Sequence, residues 1–138
     1  MIDNFATFSY EVKSYLISTL ATNFPSIDFM DSAANYSIQD EGLDFKVCRL
    51  RFSYWRDAQH LSVNGNLGVS LFYGSPDNIE IDSGSIRNFL LGDGQKIFET
   101  ENYKIWFSFS NDYDIMYYPE SREFQLHQLL GFRATLKT

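Results

Sequence analysis

A single cysteine, Cys48, stands in a chain of 138 residues. No intrachain disulfide can form, so the fold must rest on packing rather than on covalent staples. Its place in a strand-like run between Val47 and Arg49 marks it as a small buried hydrophobe, the usual state of a free cysteine. Histidine is nearly as scarce. His60 and His127 lie far apart and fit no spacing such as H-E-x-x-H, and with one cysteine they are too few for a zinc site. Basic charge is also short. Eleven Lys and Arg stand against 18 Asp and Glu, a net charge of −7 with a pI near 4.6. General nucleic-acid binding needs phosphates neutralised, and this balance works against it. An acidic surface does suit a protein that meets DNA without holding it, or one that mimics DNA, or one that simply stays dissolved.

Long apolar runs are missing too, so no membrane span is expected. Met1-Ile2-Asp3-Asn4 lacks a basic n-region followed by an apolar core, so no secretory signal is expected and synthesis in a cytoplasm is. The usual catalytic signatures do not occur. Gly92-Asp93-Gly94 lacks the Lys-Ser/Thr that reaches phosphate and magnesium, and there is no G-x-S-x-G elbow. Asp112, Asp114 and Glu123 fall at calcium-loop spacing. Tyr117 replaces the glycine that such a loop needs, and Met116 takes a ligand position, so a polar hairpin turn is the better reading. No enzyme and no cofactor are expected.

Aromatic residues, by contrast, are plentiful at 17%, with 13 Phe, 9 Tyr and 2 Trp. They argue for a packed, sheet-rich domain. The clearest element is the last one. From Phe124 to Leu136, the residues Phe124, Leu126, Leu130, Phe132, Ala134 and Leu136 share one parity, broken only by Gln128. Alternation puts that apolar row on one side of a long strand, with His127 on the other. Near the other end, Phe5, Phe8, Val12, Tyr15, Leu16 and Leu20 recur at helical spacing and predict a helix from Asn4 to Asn23, closed before Pro25. Ile27 to Met30 reads as a short strand, and Asp31 to Asp44 as an acidic connection.

Two further strands, Phe45 to Trp55 and Leu67 to Tyr73, read as an antiparallel hairpin. Asn64-Gly65 is its turn signal, and Arg56, Asp57, Gln59 and His60 are expected at its tip. Ser85 is a candidate cap for a short helix ending at Gly92. Tyr103 to Phe109 and Ile115 to Tyr118 complete the strands. The expected fold is a single α+β domain over residues 1–138: an antiparallel sheet with an N-terminal amphipathic helix and a short second helix packed on one face.

Arg49, Arg51 and Arg56 form the one dense basic group, with Lys46 close by. Arg49 and Arg51 share a strand face opposite Leu50 and Phe52. Arg49, Arg51 and Arg56 are candidates to meet an acidic neighbour, namely Asp40, Glu41 and Asp44 of another copy, with Trp55 and Tyr73 as exposed aromatics in the same seam. The plain alternative is a solvated sheet face with weak ion pairs. Opposite patches on one chain suit head-to-tail contacts that close into rings.

The opening helix from Phe5 to Leu20, the central hairpin from Phe45 to Tyr73, and the long final strand after the aromatic-acidic turn at Tyr113-Asp114 resemble the phage tail terminator family. The resemblance is one of element order and composition over most of the chain. It implies a virion protein of the tail or neck. A hexameric ring would stop growth of the tail tube and join it to head-connector proteins, around an acidic lumen that DNA passes without specific binding. A different class is also open. The acidic stretch from Asp28 to Asp44 suits an inhibitor, an immunity protein or an anti-CRISPR-like nucleic-acid mimic that blocks a nuclease. Self-association separates the two, since an inhibitor holds a different protein.

Overall fold

A computed structural model describes residues 5–32, 45–56, 62–92, 96–112, 115–120 and 122–137, with the backbone alone at residues 5, 6, 54–56 and 109–112. Helix α1 runs Phe5–Asn23 and helix α2 Ile79–Leu91. Strands β1 (Asp28–Asp31), β2 (Lys46–Arg56), β3 (Ser62–Tyr73), β4 (Phe98–Glu99), β5 (Tyr103–Asp112), β6 (Met116–Tyr118) and β7 (Glu123–Leu136) form one seven-stranded sheet. Its order is β1-β2-β3-β7-β5-β4, with β6 added to β7. This is an α+β fold dominated by sheet, with both helices on one face.

The helical spacing of α1 delivers what it implies: Phe8, Val12, Leu16 and Leu20 are fully buried. Phe8 meets Tyr103 edge-on at 5.0 Å and stacks with Phe132 at 6.4 Å, which fixes α1 over β5 and β7. The Glu11 carboxylate ties the same helix to the turn before β5. It accepts from the Thr100 hydroxyl, from the Asn102 backbone N–H at 3.0 Å and from Asn102 Nδ2 at 2.7 Å. Along β7, Leu126, Leu130, Phe132 and Ala134 are buried as one row. Gln128, the polar break in that row, is buried as well, and its Nε2 donates to Ser83 O of α2 at 2.9 Å. Cys48 is fully buried, as its strand position implies.

The sheet is antiparallel as expected in every described ladder but one: β1 runs parallel to β2, with Asp28 opposite Val47 and Asp31 opposite Leu50. A parallel pair cannot be joined by a tight hairpin; most of the acidic connection expected from Asp31 to Asp44 lies outside the described residues. Two further expectations, a turn and a helix start, are corrected. Asn64-Gly65 is not a turn. Both residues lie within β3, facing Trp55 and Tyr54, and the hairpin closes between Arg56 and Ser62. Gly65 also faces Phe132, whose ring packs edge-on against Phe52 at 5.1 Å, so a missing side chain makes room for rings. Ser85 does not open α2. The helix begins well before it, after Asn78, which takes the left-handed conformation at φ 68° without a side-chain cap bond. Asparagine tolerates that conformation better than most residues.

Candidate functional site

Both helices lie on one face, and among the described residues no element covers the opposite face of the sheet. Its content follows from register, because residues directly across from each other on neighbouring strands share a face. Arg49 of β2 faces Ser70 of β3, which faces His127 of β7. In the next row, Arg51 faces Gly68, which faces Leu129. The cations lie against rings. The Arg49 guanidinium is 5.8 Å from the centre of Phe72, and that of Arg133 is 6.0 Å from Trp106. Phe72 in turn meets the His127 ring edge-on at 5.7 Å. Arg51 is exposed.

Gly68 leaves the centre of this face hollow. A cavity of about 340 Å³ opens there, lined by Gly68, Ser70, Met116, His127, Gln128 and Leu129. Leu129 and Met116 make its walls apolar, while Ser70 and His127 make one end polar. A Cβ placed on Gly68 would lie 3.7 Å from Arg51 O and 3.9 Å from Arg51 Cβ, so the hollow borders the exposed arginine directly.

The polar end is a chain of hydrogen bonds with a single direction. Gln125 Nε2 donates to Glu123 Oε1, which turns Gln125 Oε1 toward His127. His127 Nε2, 2.9 Å from that amide oxygen, must then carry the proton. His127 Nδ1 is left as the acceptor for the Ser70 hydroxyl at 2.7 Å. Burial lowers the His127 pKa below its ordinary value, and the Glu123 charge pulls it back only in part, so the ring stays neutral near pH 7. Serine, base and orienting group are spaced as an activated nucleophile requires. Yet Ser70 lies inside β3 with ladders on both sides. Its backbone N–H is consumed there and cannot receive an oxyanion. The hydrogen-bond chain therefore ties β3 to β7 as a polar clamp, and Ser70 brings no free N–H of its own to hold an oxyanion.

Of the residues singled out from sequence, Arg49 and Arg51 do lie together on the open face. Trp55 and Arg56 close β2, paired with Asn64 and Val63, and their side chains lie outside the described residues. Asp40, Glu41, Asp44, Asp57, Gln59 and His60 also lie outside them. Tyr73 is not an exposed aromatic. It is 1% exposed, it faces the core, and its hydroxyl donates to Asp82 Oδ2 at 2.6 Å. The parity that groups it with Leu67, Val69 and Leu71 implies this burial. Burial and the neighbouring Asp82 carboxylate push its phenol pKa far up. Gly68, Ser70, Gln125 and Leu129 carry no signal alone, because the register of β2, β3 and β7 is what brings them to one place.

Among the described residues, no helix is long and apolar enough to cross a membrane. No protein-family model matches the chain, and no curated protein matches it.

Proposed function

We propose that this chain is a structural component of a tailed-phage virion that forms a ring on the end of the tail tube. The ring ends tube growth and offers a new surface to the head connector. One observation carries the reading: the two faces of the sheet are unlike. Helices cover one, and the other is open, with arginines, aromatic rings and a hollow in a chain of net charge −7. Unlike faces make heterologous contacts, and such contacts close into rings when the rotation allows. The element order supports the same reading. A helix, a long hairpin, a second helix and a long final strand follow one another as the resemblance to tail terminators implies, and α2 is a full 13 residues long.

The role is architectural, with no reaction assigned. DNA passes the acidic lumen because carboxylates repel phosphates. Native mass spectrometry of the purified chain across concentration and salt tests the reading. A closed ring, with a hexamer expected, supports it. A monomer at every concentration that also fails to cap isolated tail tubes overturns it.

A further inference from the structure

The open face has a match on the other side of the same molecule. Helix α2 buries Ile79, Ser83, Ile86 and Leu90 against the sheet. Its outward surface is flat. Gly84, Ser85 and Asn88 lie along it, and a Cβ on Gly84 would meet only Arg87 Nη2, at 3.9 Å. One large apolar side chain stands out of that surface, Ile81, which is 67% exposed. Beside it, Asp77 and Glu80 are exposed carboxylates. The helix thus presents an aliphatic knob flanked by acids. The open face presents an apolar hollow flanked by the exposed Arg51, with Arg49 in the next row.

We infer that the occupant of the Gly68 hollow is Ile81 of a second copy of this chain. Its Glu80 and Asp77 lie against Arg51 and Arg49 of the first. The inference rests on the ring reading and assigns the contact within it. Charge complementarity selects α2 over the rest of the helix layer. Tyr10 of α1 is more exposed, at 77%, but its nearest charged neighbours on the helix, Glu11 and Lys13, are already engaged with Asn102 and with Asp31. The arrangement is head-to-tail, because knob and hollow lie on opposite faces of one sheet, so each copy uses both at once. Gly68 matters because a side chain there would fill the floor that receives the knob. Apolar filling of the hollow supplies affinity, and the flanking charges set register and partner choice.

Paired cysteines test the contact. Cys48 is fully buried and its thiol pKa is pushed up by burial, so new surface thiols react alone. The Ile81→Cys/Met116→Cys double variant, treated with a short bis-maleimide, is expected to give a ladder of covalent oligomers ending at ring size. Each single variant is expected to give dimers at most. A charge swap supplies the second arm. Arg51→Glu and Glu80→Arg are each expected to weaken self-association at least about tenfold, and their combination to restore most of it. Circular dichroism confirms that these exposed substitutions leave the fold intact. A ring that forms without a ladder in the double variant, and ignores both reversals, overturns this contact and leaves the ring reading standing. A chain that yields neither ring nor ladder, free or on isolated tail tubes, overturns both.

Discussion

His127 stands where the chemistry of a single side chain and the stability of the sheet meet. In the folded chain its pKa lies below the ordinary 6.5, first because of burial, with Glu123 opposing. The unfolded chain therefore binds a proton that the folded chain refuses. Above pH 6.5 the ring is neutral in both states and costs nothing. As pH falls below 6.5 toward the folded pKa, stability is lost. Denaturation titrations should show this decline, and His127→Gln should flatten it, since an amide keeps partners for Ser70 and Gln125 without titrating. Glu11 adds a second acid-side loss in a lower window. Burial raises its pKa, but bonds from Thr100 and Asn102 and the charge of Lys137 outweigh that, so the net shift is downward. Its contribution is present above 4.5 and is lost as pH falls through the folded pKa. Glu11→Gln should flatten the profile only there. An unchanged slope in either variant would remove that residue from the acid response.

Parity alone makes the faces of these residues legible in the sequence. It sets His127 apart from the apolar row of its strand, and it places Arg49 and Arg51 together. It cannot show that Ser70 and Gly68 lie between them and β7, since that depends on a pairing across half the chain. At the scale of the element, α2 shows the same limit differently. Its apolar positions Ile79, Ile86 and Leu90 are sparse, and Gly84 interrupts them, so Ser85 reads as a beginning. The true start has no side-chain cap to announce it, only the left-handed Asn78. What holds α2 is its two ends and its packing. At the C-terminal end, Gly92 donates its N–H to Asn88 O at 2.8 Å, with φ 58° and ψ −137°, a region nearly closed to other residues. A Cβ there would also sit 2.7 Å from Lys96 Cβ. Gly92→Ala should cost about 2 kcal/mol in chemical denaturation; a loss near zero would mean that the cap relaxes freely. On the packed side, Gln128 bonds Ser83 O, but its own Oε1 is buried with no partner among the described residues. Gln128→Met should be neutral or stabilising by up to about 1 kcal/mol, because the apolar isostere leaves no orphaned atom. Marked destabilisation would show that the amide, not burial, docks the helix.

Across the whole molecule, order along the chain and order in space oppose each other. The last of the seven strands in sequence, β7, lies between β3 and β5 and also carries β6. It supplies the row Leu126, Leu130, Phe132 and Ala134 on which Phe8 of α1 and Phe107 of β5 close. Without it, β1-β2-β3 and β4-β5 are separate pieces whose apolar faces have no common floor. The ladders that join these pieces, β3 with β7 and β5 with β7, thus wait on pairings of high sequence separation, which are slow to form and cooperative once formed. Two results should follow. In hydrogen exchange, backbone amides of β3 and β7 should be the slowest, near the global unfolding limit, while the edge strands β1, β4 and β6 exchange by local opening. A chain ended at Arg122 should show no cooperative thermal transition, although α1 and the β2-β3 hairpin remain intact in its sequence. A truncated chain that melted cooperatively would mean that the hairpin and α1 form a core of their own. The open face would then be carried by a two-part molecule, with β7 as a strand added last to complete the hollow between Gly68, His127 and Leu129.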